Sequence, residues 1–279
     1  MKRLDKRVVI LGSNGFVASN VKKQIQKNFN VVDISRREID FLKKDSTNKL
    51  KKIIKKNDTI FFAAASAPVK NQKMLIDNLT MCKNICESVE NISINHFIYL
   101  SSDAVYSDKM TSLNEKSLTN PDSLHGIMHF VREKIVSNVI KAKITIVRPT
   151  LIYGPSDPHN GYGPNMFIRK NKKNLDLNLF GKGEEKRDHV WIGDVSYVIA
   201  KIISNELTGI FNISSGNVIS FYEIAKLLVK NNKKSNIIFN KRVGLMPHNG
   251  FRPINNKKIQ NFLKSYKFLK LKEYLTNDK

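Results

Sequence analysis

Apolar residues fall along the first 150 positions in two alternating rhythms. Short runs rich in β-branched and aromatic residues (Val8–Leu11, Asn30–Ile34, Thr59–Ala65, Phe97–Leu100 and Ile144–Val147) are too short for helices and read as buried strands. Between two of them Leu75, Leu79, Cys82, Ile85, Cys86 and Val89 recur at helical spacing, and Ser46 is placed to cap a short basic helix reaching Lys55. Strand, helix, strand, helix predicts an α/β chain built on a doubly wound parallel sheet of the Rossmann type, with ligands at the carboxyl ends of its strands. After Tyr153 the rhythm breaks. A turn-rich loop from Ser156 to Asn165 leads to a helix from Met166, a strand at Leu177–Phe180, the loop GKGEEKRDHV, a strand at Ile210–Ile213 and a helix from Phe221. These pieces are too short and mixed for a second Rossmann unit and predict a smaller α/β lobe. The expected division is 1–153 and 154–279, with parts of about 190–215 returning to the first domain.

The first strand runs directly into Gly12-Ser13-Asn14-Gly15-Phe16-Val17-Ala18. Gly12 can adopt backbone angles closed to other residues, Gly15 lets the new helix approach a bulky anion, and Ala18 still permits close helix packing. Backbone N–H groups at this helix start are expected to face a pyrophosphate, which makes Gly12 to Val17 a candidate dinucleotide loop. Ala63 and Ala64 are small residues where the third strand would pass the same cofactor. The second strand carries Asp33, suited to ribose hydroxyls, and is followed by Arg36 and Arg37, suited to a 2′-phosphate. The expected cofactor is NAD(P), with the arginines tipping the choice toward NADP.

Charge changes the picture less than its size implies. Forty-eight Lys and Arg against 24 Asp and Glu give a formal charge of +24, a value that raises nucleic acid or a membrane surface as partners. The lysines are spread in short groups such as Lys43-Lys44 and Lys233-Lys234, without the interleaved aromatics that single-strand binders require, and read as ordinary solvated faces. Cys82 and Cys86 share a helix face as a reduced, half-buried pair. The longest uncharged apolar run, Thr59 to Val69, is too short to span a bilayer, and the first residues lead into a strand with no cleavable signal, so a cytoplasmic chain is expected.

Four stretches together resemble the extended short-chain dehydrogenase/reductases, the NAD(P)-dependent epimerase/dehydratase family acting on nucleotide sugars. They are Gly12-x-x-Gly15-x-x-Ala18, then Ser101-Ser102-x-x-Val105-Tyr106, then Arg148-Pro149-x-x-x-Tyr153-Gly154-Pro155, and last Gly181-x-Gly183-x-x-x-Arg187-Asp188-His189-Val190-x-x-x-Asp194-Val195. The resemblance implies that Ser102 hydrogen-bonds the reacting sugar oxygen and that Arg187, assisted by Arg252, contacts the nucleotide diphosphate. The family's Tyr-x-x-x-Lys pair is replaced. In Pro121 to Glu133 the proline, Gly126 and Glu133 keep the register, and the two slots hold His125 and His129. Three other Tyr-x-x-x-Lys strings, beginning at Tyr197, Tyr222 and Tyr266, lie in the wrong part of the fold.

His125 and His129 share a helix face, and imidazole, with an ordinary pKa of about 6.5, exchanges protons near neutral pH without a lysine to tune it. No metal is expected there, since no carboxylate follows the first histidine as in zinc proteases. His125 is therefore the candidate proton donor or acceptor and His129 a candidate for the cofactor ribose. Asp103-Ala104 lacks the glutamate of 4,6-dehydratases, and Ser102-Asp103-x-Val105-Tyr106 is similar to 4-epimerases and dTDP-4-dehydrorhamnose reductases. The resemblance implies a ketoreductase or epimerase of a nucleotide-linked sugar, in surface-polysaccharide assembly, with a homodimer as the assembly to look for. The rival expectations are a cofactor-binding protein without turnover on the same fold and a nucleic-acid-binding protein.

Overall fold

The computed structural model describes residues 5–109 and 112–277. In chain order the elements are β1 (Arg7–Leu11), α1 (Phe16–Ile25), β2 (Asn30–Ile34), α2 (Ser46–Ile53), β3 (Thr59–Phe62), α3 (Gln72–Val89), β4 (His96–Leu100), α4 (Leu124–Val139) and β5 (Lys143–Pro149). There follow β6 (Leu151–Tyr153), α5 (Pro164–Lys172), β7 (Leu177–Phe180), β8 (Lys186–Trp191), α6 (Ile192–Asn205), β9 (Gly209–Ile213) and β10 (Val218–Ser220). The chain continues with α7 (Phe221–Asn231), β11 (Ile237–Asn240), β12 (Phe251–Arg252), α8 (Lys257–Leu263) and α9 (Leu271–Asn277). No helix among the described residues is long and apolar enough to cross a membrane.

Two compact units divide these elements. The first comprises Met1–Ser107, Leu118–Arg148 and Ser196–Phe211; the second Asp108–Ser117, Pro149–Val195 and Asn212–Lys279. The six-stranded sheet has the order β2-β1-β3-β4-β5-β9, and β1 pairs in parallel with both β2 and β3, as β4 does with β3 and β5. The chain thus leaves β1 for one side and returns on the other, so the carboxyl ends of β1 and β3 flank a topological switch point. The core of this unit joins Val9, Leu11, Ile60, Phe62, Phe97 and Tyr99 of the strands to Cys82, Ile85, Cys86 and Val89 of α3. Each fully buried apolar side chain of this kind contributes about 1.5 to 3 kcal/mol by leaving water. Both cysteines are free and fully buried within it, deeper than the half-buried pair expected.

The second unit has its own core, in which Tyr153, Phe167, Leu177, Leu179, Phe221 and Ile224 pack together. Its strands form a sheet ordered β10-β8-β12, with β6 also pairing β8, and a separate β7–β11 pair. Several sequence expectations shift in detail. β3 stops at Phe62, leaving Ala63 to Ala65 as loop. Ser46 lies inside α2 rather than capping it: Asp45 holds the cap position, and the Ser46 hydroxyl reaches the Phe41 carbonyl at 3.5 Å. The expected loop GKGEEKRDHV contains β8, whose Asp188 and His189 are buried.

Candidate active site

The β1–α1 turn has the geometry its glycines allow. Gly12 sits at φ +87°, and a Cβ there would lie 2.6 Å from Ala64 Cα, so a side chain would push the loop after β3 away. Gly12 and Ser13 donate their amides to Ile34 O at 2.8 and 3.2 Å, and Ala63 donates to Leu11 O at 3.0 Å, which ties the ends of β1, β2 and β3 together. Ser13 is buried and Asn14 exposed; Phe16 and Val17 open α1, and no side chain caps the helix at Gly15. Its first-turn amides are the groups an anion would take. The residues Gly12 to Val17 with Ala63 and Ala64 therefore fit a dinucleotide pyrophosphate at the switch point.

At the end of β2 the acid and the base are arranged differently from the simplest reading. Asp33 ion-pairs through Oδ2 with Lys22 of α1, and its Oδ1 is buried with no hydrogen bond. Ser35 is the residue that follows the carbonyl gripped by Gly12 and Ser13, and its amide donates to Glu38 at 2.8 Å, with its hydroxyl donating to the same carboxylate oxygen. These hydrogen bonds hold the Glu38 carboxyl below its usual range. Arg36 is exposed and makes a long contact with Asp40 at 3.4 Å.

Ser102 closes β4. Its Oγ accepts from the Ala104 amide at 3.1 Å, starting a single 3-10 turn over Asp103–Val105. The first turn of α4 lies directly against that loop. Ser123 caps the helix by accepting from Gly126 N at 3.0 Å, and a Cβ on Gly126 would meet Ala104 O at 2.1 Å and Pro121 Cβ at 2.6 Å. A glycine next to His125 is thus what lets the helix start approach the Ser102 loop. His125 is half-buried and His129 buried one turn on; their rings meet edge to face with centroids 4.8 Å apart. Burial, with the nearby His125 and Arg132, holds His129 well below the ordinary imidazole range, so it is neutral at pH 7.

Two buried charged residues of α4, which hydrophobic periodicity does not reveal, brace this arrangement. Arg132 donates to Ala64 O at 3.0 Å and to Asn78 O at 3.0 and 2.8 Å, joining the helix to the loop after β3. Glu133 accepts two bonds from Arg148 of β5, at 2.9 and 2.5 Å, and one from Ser101 Oγ at 2.6 Å. A buried carboxylate needs such partners, because leaving it unpaired costs several kcal/mol. Ser101 just after β4, α4 and β5 are therefore locked by one fork of charge-assisted bonds.

In the second unit Arg187 of β8 and Arg252 of β12 are register partners on neighbouring parallel strands. Arg187 pairs with Glu185 at 3.0 Å, whereas Arg252 is buried and donates to Asp108 Oδ1 at 3.1 Å. His248, absent from the expected site residues, lies 2.5 Å from the same Asp108 oxygen; burial, Arg187 and Arg252 push it down to about 3. Of the three stray Tyr-x-x-x-Lys strings, Tyr266 gives its hydroxyl to Asp194 at 2.6 Å and Lys201 stacks over Tyr197 at 5.1 Å. Among the described residues no group of three His, Cys, Asp or Glu could hold a metal ion.

Residues 8–214 match the NAD dependent epimerase/dehydratase family, and the chain belongs to it. It is 23% identical to an uncharacterised UDP-glucose epimerase, YtcB, of Bacillus subtilis (strain 168), across 98% of this chain and 96% of that one. Among solved structures it is similar to the UDP-glucuronic acid 4-epimerase of Bacillus cereus in complex with UDP-glucuronic acid and NAD (TM-score 0.83, 22% identity, 96% of each chain). The UDP-glucose 4-epimerase of Thermotoga maritima with UDP-glucose is also similar (TM-score 0.82, 19% identity, 97% of this chain and 96% of that one). At these identities the structural likeness establishes the fold, a Rossmann-type parallel sheet in an α/β chain.

Proposed function

We propose that the chain is an NAD(P)-dependent epimerase or ketoreductase of a nucleotide-linked sugar, serving surface-polysaccharide assembly. The observation that carries this reading is the backbone contact between the Ser102 loop and the Gly126 turn, which sets Ser102 and His125 at the end of the sheet that also bears the Gly12–Val17 turn. Ser102 orients the reacting sugar oxygen, and the His125 imidazole takes up or returns its proton. His129 and the Gly12–Val17, Ala63 and Ala64 backbone hold the cofactor, whose nicotinamide, when bound, supplies hydride acceptance and donation. Arg187 and Arg252 engage the diphosphate. Ala104 has no carboxyl, which argues against 4,6-dehydration. The UDP-sugars named for the relatives are the first substrates to test. Mass spectrometry of small molecules released from the purified protein is expected to find a nicotinamide dinucleotide, a nucleotide sugar or both; release of neither after saturation with each would refute the reading.

The second reading, a cofactor-binding protein without turnover, draws on the neutrality of His129, which lacks the positive charge of the family's lysine. Arg187→Ala is expected to weaken binding of UDP-sugars about tenfold or more while leaving cofactor affinity intact, by loss of a charge-assisted contact worth roughly 1.5 to 3 kcal/mol. Unchanged affinity in a calorimetric titration would assign Arg187 to its Glu185 pair alone.

Within the cofactor site, the Lys22 ion pair neutralises Asp33, and Arg36 stands exposed after Ser35, both of which support NADP. NADP(H) is expected to bind at least as well as NAD(H), with Arg36→Ala weakening NADP(H) about tenfold and NAD(H) little. An NAD(H) preference untouched by the substitution would reverse the cofactor assignment.

A further inference from the structure

Tyr99 is the penultimate residue of β4, fully buried, with its hydroxyl oxygen 2.7 Å from His129 Nδ1. Either atom could carry the shared proton, and the surroundings choose. Burial pushes the phenol above its ordinary range, so Tyr99 keeps its proton at neutral pH. His129 Nδ1 is the hydrogen-bond partner of that hydroxyl among the described residues. The nearby Arg132 guanidinium has donors and no acceptor, so it offers the phenol proton nothing, and the buried O–H is directed at His129. Arg132 spends its own donors on the carbonyls of Ala64 and Asn78, with the Phe62 ring 4.8 Å away. A neutral imidazole that accepts at Nδ1 must carry its hydrogen on Nε2.

We infer that Tyr99 is a positioning residue that locks His129 in its Nε2–H form, making it a fixed hydrogen-bond donor and closing it to proton exchange. The bond runs from the Tyr99 O–H to His129 Nδ1. Lysine would bring three donors and a charge to this position; the tautomer-locked imidazole brings one donor with a set direction. Resting on the proposed function, this means that His129 donates to a ribose hydroxyl and that proton transfer falls to His125. It also explains why a phenol with no route to solvent stands in a core strand: its hydroxyl orients a ring one helix away.

The test uses the full-length chain labelled with ¹⁵N-histidine at pH 7, with His129 assigned by comparison to His129→Asn. Long-range ¹H–¹⁵N spectra are expected to show His129 as the pure Nε2–H tautomer, and Tyr99→Phe, which keeps the ring, is expected to give mixed tautomers. An Nδ1–H tautomer or an imidazolium in the wild type would overturn the inference, as would a Tyr99→Phe spectrum identical to wild type. The wild-type spectrum decides alone if the variant fails to fold. Affinity for NAD(P) is expected to fall about three- to tenfold in Tyr99→Phe, the size of one misdirected hydrogen bond. An Nε2–H spectrum together with no NAD(P) binding by the wild type would uphold the tautomer lock and overturn the functional reading instead.

Discussion

Replacing His125 by alanine is expected to lower turnover by about 10²- to 10⁴-fold, the usual contribution of a positioned acid or base, with cofactor affinity nearly unchanged. His125 is half-buried and adjoins Gly126, whose backbone abuts the Ser102 loop, whereas His129 is buried and neutral, which leaves His125 as the member of the pair suited to exchange protons. His129→Ala is expected to act differently, weakening cofactor binding together with turnover. Rebuilding the family's usual pair is a harsher change than its chemistry implies. His125→Tyr fits a half-buried position, but His129→Lys places an ammonium in a fully buried site beside the Arg132 guanidinium, where two cations repel and neither is solvated. The double variant is therefore expected to lose stability even if its chemistry is restored. Turnover by His125→Ala equal to wild type would remove the histidine from the mechanism.

Acid is expected to destabilise the fold steeply between pH 6 and 5. Burial holds His96 at about 4 and His189 at about 3, and burial with the two arginines holds His248 at about 3. A histidine depressed in the folded state stabilises fully above its unfolded value of about 6.5, and that contribution is lost as the pH falls toward the folded value. Asp188 works in the opposite sense. Burial raises it to about 6 against the Ser215 and Thr150 hydrogen bonds that favour the carboxylate, so its contribution grows as the pH falls through that value. With His129 also held neutral by burial, the depressed histidines outnumber Asp188, and each net proton taken up on unfolding adds about 1.4 kcal/mol per pH unit, large beside a typical total stability of about 5 to 15 kcal/mol. Urea midpoints measured from pH 7 to 5 check the slope. His189→Phe, which keeps a ring against Phe221, is expected to flatten it by about 1 kcal/mol per pH unit; an unchanged slope would show that His189 is not neutral in the fold.

The parts of this molecule visible in the sequence are those where burial and apolarity coincide. The β1 run, the bounds of β2 and the α3 face read directly, because most inward positions are hydrophobic, although α3 also buries Asn78 and Ser88. β8 was hidden for the opposite reason: its inward positions include Asp188 and His189, and Asp188 is tolerated there because Ser215 N and Oγ donate to it at 2.9 and 3.0 Å. The site shows the same division. Gly12, Ser102 and the histidine slots are marked by motif, whereas Tyr99, Arg132 and Lys22 look like ordinary core and surface residues until their partners, supplied by distant elements, are known. Tyr99 in particular follows the alternation of a buried strand, and nothing in β4 itself distinguishes a packing phenol from one that aims a proton at α4.

The central claim, that Ser102 and His125 act on a nucleotide-linked sugar, is tested most directly by product analysis. The purified chain would be incubated with UDP-, GDP- and dTDP-sugars and their 4-keto forms, with NAD(P) or NAD(P)H, and the sugars followed by NMR and mass spectrometry. The account predicts either an isomer of unchanged mass, from epimerisation, or a product that has gained two hydrogens, from ketoreduction, and loss of that product in His125→Ala. Unaltered sugars in the presence of a wild-type chain that binds both cofactor and nucleotide sugar would contradict it.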